Sequence, residues 1–264
     1  MELIVRVLGG HNSAAQSDAF LVVGAIAIAL GAEFNVYFPA VAPHLINALK
    51  NSDEYEICQV AAELISFITE AIGDAFFPVC SEVITLLLTN LANSQLNSEV
   101  KPPSIVALGD IALAIGERFE LFADPICLVL DDASQSLRVP VDADEDMIEL
   151  VNQLRSAIIE AYSGIVNGLG RNSATNVFIK KGKLEGMLRF LVQIAHHLSV
   201  PDTQVDENVL KGAAGLLGDL QRTVGPDAHL TQALPYLSII FEKALQCPDE
   251  RVQDTGRWAR SLFM

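Results

Sequence analysis

Apolar positions along this chain recur at three- and four-residue steps, the period of a helix with one buried face. Met147, Leu150, Val151, Leu154, Ile158, Tyr162, Ile165 and Leu169 are the clearest run. β-Branched residues are common, but they do not alternate with polar ones over strand lengths. Gly and Pro do not fall at the roughly 8–12-residue spacing of an all-β fold. The pattern therefore predicts helices, and it predicts them in pairs: 18–30 with 36–50, 56–71 with 76–92, 101–115 with 120–133, 144–169 with 184–198, and 206–223 with 230–246. A last helix is expected over 249–263.

The pairs are punctuated in the same way. Leu30-Gly31-Ala32-Glu33-Phe34, Ile72-Gly73-Asp74-Ala75-Phe76 and Ile115-Gly116-Glu117-Arg118-Phe119 lie 42 and 43 residues apart. Each Gly follows one apolar helix and precedes another, so it is expected to close a helix in left-handed αL geometry. The step Gly109-Asp110 returns as Gly218-Asp219, and Gly164, Gly168 and Gly170 end the helix between them. The longer spacing there is assigned to loops 134–143 and 170–183. A two-helix unit of about 40–47 residues is the HEAT or armadillo signature. Each unit buries its apolar stripes against its neighbours, and the stack has a concave binding face. The fold class expected is all-α: a HEAT-repeat, right-handed α-solenoid. Residues 1–264 read as one array of about five helix pairs plus a terminal helix. The chain begins inside a helix without a polar cap, so it is expected to be a fragment of a longer solenoid.

Composition narrows the function. With 51% hydrophobic residues the chain has ample core and is not disordered. Its net charge of −16 is opposite to what phosphate neutralisation needs, which argues against nucleic acid. An acidic surface steers basic partners towards it, and it also keeps an apolar protein soluble. Cys58, Cys80, Cys127 and Cys247 lack metal spacing and read as small core residues in a reducing compartment. The longest apolar run, Ala19–Leu30, is too short to span a bilayer, and no signal peptide is present, so a soluble protein is expected. No nucleotide-binding, hydrolase or metalloprotease motif occurs. His196-His197 has no third ligand nearby. No enzyme activity, metal or cofactor is expected.

Two features point to a partner. Asp124, Asp131 and Asp132 share a face of the second helix of the third pair. Asp142, Asp144, Glu145, Asp146 and Glu149 follow, with Arg138 the one basic residue between 120 and 150. Carboxylates at 144–146 complement a helix N-terminus, whereas Asp131 and Asp132 lie near a C-terminus, where negative charge is unfavourable. A surface for a basic ligand accounts for them. The single tryptophan, Trp258, has Asp254 one turn before it. An indole beside a carboxylate suits an Arg or Lys of a partner; covering the end of the repeat stack suits it equally.

The stretch Val100-Lys-Pro-Pro-Ser-Ile-Val-Ala-Leu-Gly-Asp-Ile-Ala-Leu-Ala-Ile-Gly116 resembles the C-terminal part of the importin β family. So do Asp144-Glu-Asp-Met-Ile-Glu-Leu-Val-Asn-Gln-Leu-Arg155, Glu160-Ala-Tyr-Ser-Gly-Ile-Val166, Ala213-Ala-Gly-Leu-Leu-Gly-Asp-Leu220 and Arg257-Trp258-Ala259. Segments 170–183 and 199–207 depart from it. The resemblance implies a nuclear import receptor of cytoplasm, nucleus and nuclear pore. Its second helices would line an inner face that wraps the basic importin-β-binding helix of importin α, or basic cargo. That implies roles for Glu82, Asp124, Asp131, Asp132 and Glu242, with Trp258 stacked on a basic side chain. Phenylalanine–glycine (FG) nucleoporins would bind the outer face between first helices. Ran would be contacted only in part, its main site lying in the N-terminal half of the family. A HEAT scaffold of another class, such as a phosphatase scaffold or coat adaptor, is the alternative.

Overall fold

The computed structural model describes residues 1–10, 12–51, 53–137, 144–200 and 206–264. Among them there is no strand. The helices are α1 (Glu2–Leu8), α2 (Ser13–Leu30), α3 (Phe38–Lys50), α4 (Tyr55–Ile72), α5 (Phe77–Ala92), α6 (Lys101–Ile115), α7 (Ala123–Ser136), α8 (Glu145–Ala174), α9 (Leu184–Leu198), α10 (Glu207–Thr223), α11 (Ala228–Gln246) and α12 (Glu250–Ser261). Every helix expected from the apolar period is present. The seven residues of α1 are too few for a period to register. Asn12, Asp144, Asp206, Asp227 and Asp249 start α2, α8, α10, α11 and α12 by accepting a backbone N–H at their side chains.

The repeated glycines end helices, but not in αL geometry. Gly31, Gly73 and Gly116 have φ of 54°, 52° and 61° with ψ of −133°, −127° and −137°. That region has positive φ but not the ψ of αL, and it suits Gly because no Cβ is present. A 3₁₀ turn follows each: Gly31–Val36, Gly73–Phe76 and Gly116–Leu121. The phenylalanine three residues after each Gly (Phe34, Phe76, Phe119) is fully buried. The turn thus buries an aromatic ring, and the turns after α2 and α4 pack on the next first helix, α4 and α6.

The chain divides into two compact units, Met1–Phe119 and Glu120–Met264. In the first, α2, α4 and α6 pack in succession as the first-helix layer, and α3 packs on α5 behind it. In the second, α8, α10 and α12 form the first-helix layer, and α7, α9 and α11 the second.

Two expectations are corrected here. By length and composition, Ser13–Val36 and Tyr55–Ala92 are each apolar enough to cross a membrane, although Ala19–Leu30 alone is not. Each is interrupted by a positive-φ glycine, Gly31 or Gly73, and α2 and α4 are stacked neighbours in one repeat layer. Nor is 170–183 a plain loop. α8 kinks at Gly170 (φ 64°, ψ 175°) and continues to Ala174, and a π-helical turn follows over Thr175–Lys180 with Val177 and Phe178 fully buried.

All four thiols are buried. Burial pushes the Cys58 thiol up to about 11 and those of Cys80 and Cys127 to about 12, the behaviour of core residues. Cys247 lies just after α11 as its C-cap, not within a helix.

Candidate partner-binding surfaces

α7 buries Ala123, Ile126, Cys127, Leu130 and Ser134, which turns its carboxylates away from the core of that helix. They do not form one free stripe. Asp131 faces α9, where Gly186 admits it: a Cβ there would lie 2.8 Å from its Oδ1. Arg189 donates to Asp131 Oδ2 at 2.8 Å, while the buried Oδ1 has no hydrogen-bond partner among the described residues. Asp131 is thus largely a packing residue between α7 and α9. Asp124 is exposed but lies 3.4 Å from Lys181 Nζ and 3.8 Å from Lys183 Nζ. Asp132 is exposed and has no ion pair with a described residue.

The other sequence-assigned acids fall in three groups. Glu82, on α5, pairs with Lys50 at 2.8 Å, and Asp254 pairs with Arg257 at 2.6 Å. Asp144 caps α8 by accepting from the Met147 N–H at 2.9 Å. Glu145, Asp146 and Glu149 stand exposed on its first turns beside Met147 and Ile148; their position favours the helix dipole. Glu242 is exposed on α11. Asp142 lies outside the described residues.

Trp258 belongs with the first-helix layer, apart from the α7 carboxylates. Its indole lies over Gly218 of α10 so closely that a Cβ there would be 2.3 Å from the ring. It remains 39% exposed. The cation over its ring is internal: the Arg222 guanidinium is 5.8 Å from the ring centroid. Arg222 is held by Asp219 at 2.9 Å and Asn167 at 2.6 Å, and Asn167 donates to Asp219 at 3.0 Å. The Gly-Asp step thereby acquires a meaning. Gly218 lets α12 approach, and Asp219 reaches back to α8. Asp110 does the same towards α4, where Ser66 is its hydrogen-bond partner.

The first unit has a matching aromatic that sequence reading missed. Phe67 of α4 sits over Gly24 of α2, where a Cβ would lie 2.9 Å from its ring, and it stays 42% exposed. On the side of α4 that faces α6, a groove of about 420 Å³ is lined by Ser66, Thr69, Glu70, Asp110 and Leu113. Leu113 is 53% exposed. The available signal was a glycine inside an apolar first helix, which marks a close approach from the neighbouring repeat.

Stacked helix pairs, two layers in each unit, glycine-mediated contacts and exposed grooves between like helices define a HEAT/armadillo-type repeat protein. The family model described as "Importin subunit beta-1-like, TPR repeats" matches residues 1–237. This chain belongs to the importin subunit beta-1-like family. It is 34% identical to importin subunit beta-1 of Arabidopsis thaliana over 261 residues, covering 98% of this chain and 29% of that protein. A crystal structure of importin beta superposes with a TM-score of 0.87 at 29% identity, over 99% of this chain and 31% of that one. The Kap95 chain of a Kap95:Nup1 complex shares the fold, with a TM-score of 0.81 at 24% identity over 99% of this chain and 30% of that one. The chain thus spans about three-tenths of the length of the proteins it matches.

Proposed function

We propose that this chain is part of a nuclear import receptor that moves between cytoplasm and nucleus through the pore, and that it binds the basic importin-β-binding helix of importin α, or basic cargo, on its acidic surface. The observation that carries this reading is the set of predicted, exposed carboxylates without an ion pair to a described residue: Asp132, Glu145, Asp146, Glu149 and Glu242. In a chain of net charge −16, such groups attract a cationic helix and lose little solvation until it arrives. Glu82, Asp124, Asp131 and Asp254 already hold internal cations and contribute less. FG nucleoporins bind the first-helix layer, at Phe67 and the α4/α6 groove. A nucleoporin-binding surface fits the complex of Kap95 with Nup1. Any contact with Ran through these repeats is partial.

The test is titration of the chain with a fluorescein-labelled importin-β-binding segment of importin α, followed by anisotropy. Each carboxylate removed from a rim position lowers affinity modestly, so Asp132→Asn with Glu242→Gln should weaken binding about three- to tenfold. Affinity should fall steeply with salt. Salt-independent binding, or none, sinks the reading and leaves this segment as scaffolding within the family's solenoid, with the basic ligand held elsewhere. Trp258→Ala separates two roles. A large loss of affinity places the peptide on the indole; an unchanged affinity leaves Trp258 as the α10–α12 packing residue.

A further inference from the structure

The connection between α8 and α9 carries Lys180, Lys181 and Lys183 around Gly182. It is anchored, not loose. Val177 and Phe178 are fully buried, Leu184 is nearly so, and Asn176 donates to the Glu120 carboxylate. Gly182 turns the chain with φ of 71°. These anchors hold two ammonium groups over the N-terminal end of α7. Lys181 Nζ lies 3.4 Å from Asp124 Oδ2 and 3.9 Å from Glu120 Oε1, and Lys183 Nζ lies 3.8 Å from Asp124 Oδ1. The contacts are long, and the side chains of both lysines are about one-third exposed. Pairs of this kind contribute little stability. A ligand cation with closer geometry can replace them while the backbone stays in place, because only the two lysine side chains need to swing aside.

We propose that Lys181 and Lys183 are a built-in competitor: they occupy Asp124 and Glu120 and must be displaced before a basic ligand can use the N-terminal end of α7. This rests on the basic-ligand reading above. It makes the α7 surface a site whose threshold is set by two lysines of the same chain.

The experiment compares a fluorescein-labelled Lys/Arg-rich helical peptide on the parent chain and on the pair Lys181→Ala/Lys183→Ala. The control, Lys211→Ala/Arg260→Ala, removes the same charge from exposed positions on α10 and α12. The lysine pair variant should bind about three- to tenfold tighter at low salt, with the control nearly unchanged. Asp124→Asn should then weaken binding in the lysine-free background and have little effect in the parent. Equal gains in variant and control would mean long-range charge alone, and would overturn the proposal. Equal binding by parent and lysine-free chains would overturn it too, with the basic-ligand reading intact. Binding only by the lysine-free chain would support it most strongly. Binding by none would remove the basic-ligand reading and the proposal together.

Discussion

At the scale of single residues, an acidic side chain's role depends on what faces it across the repeat stack. Asp131 and Asp132 are adjacent in sequence, yet Asp131 is closed against Gly186 and Arg189 while Asp132 stands in solvent. Charge and helical face were legible from sequence. The partner cation was not, because Arg189 lies 58 residues away. Asp110 yields a pH prediction. Burial raises its pKa above the ordinary 3.8, against a lowering by Ser66, and nearby Glu70 adds to the rise. A carboxyl with a raised folded-state pKa favours the folded state below its unfolded value and loses that contribution as pH rises through the folded value. At neutral pH the ionised group therefore costs stability. Asp110→Asn should raise the melting temperature slightly near pH 7, and the gain over the parent should vanish below about pH 4, within the ordinary carboxylate range. Thermal denaturation across pH checks this; a loss of stability at neutral pH would show that the Ser66 contact outweighs burial.

At the scale of elements, glycine punctuation is the feature read best and interpreted least completely. The spacing located every first-to-second helix turn in the first three pairs. The αL expectation failed because the glycines enter a 3₁₀ turn with ψ near −130°, which brings Phe34, Phe76 and Phe119 inward. At Gly73 a Cβ would meet nothing within 4 Å, so the cost of Gly73→Ala is purely conformational. It should destabilise by about 1–3 kcal/mol in urea titration. Gly218→Ala acts by a different route. Its Cβ would strike the Trp258 ring, so it should destabilise by about 1–3 kcal/mol and shift the indole emission to the red as the ring moves into solvent. A shift without destabilisation would mean that the indole is not needed to hold α12 on α10. The segment 170–183 looks like a loop in sequence because its polar and basic residues hide Val177 and Phe178, whose burial depends on surrounding helices.

At the scale of the whole molecule, two kinds of surface fall on different helices. Acidic groups lie on α7, α11 and the first turns of α8; the exposed aromatics Phe67 and Trp258 lie in the first-helix layers. Binding to the two should be separable. Phe67→Ala with Leu113→Asp should reduce binding of a phenylalanine–glycine repeat peptide at least about fivefold, the usual loss at an anchoring side chain, and leave the basic peptide's affinity unchanged. Nuclear magnetic resonance titration of the repeat peptide and anisotropy of the basic one check this together. Equal losses in both would mean that the substitutions damage the fold.

The sequence by itself determined the helices, their pairing, the repeat length and the acidic character. All of these follow from local periodicity, glycine position and composition, which need no distant partner. Only the tertiary structure decided which acids remain available. Asp124, Asp131 and Glu82 are paired with Lys181, Arg189 and Lys50, in neighbouring repeats 32 to 58 residues away. It also decided that Trp258 covers Gly218 of α10. A helix face can be read from spacing, but what it meets depends on how successive repeats stack, and that is set by close contacts at glycines such as Gly24, Gly186 and Gly218.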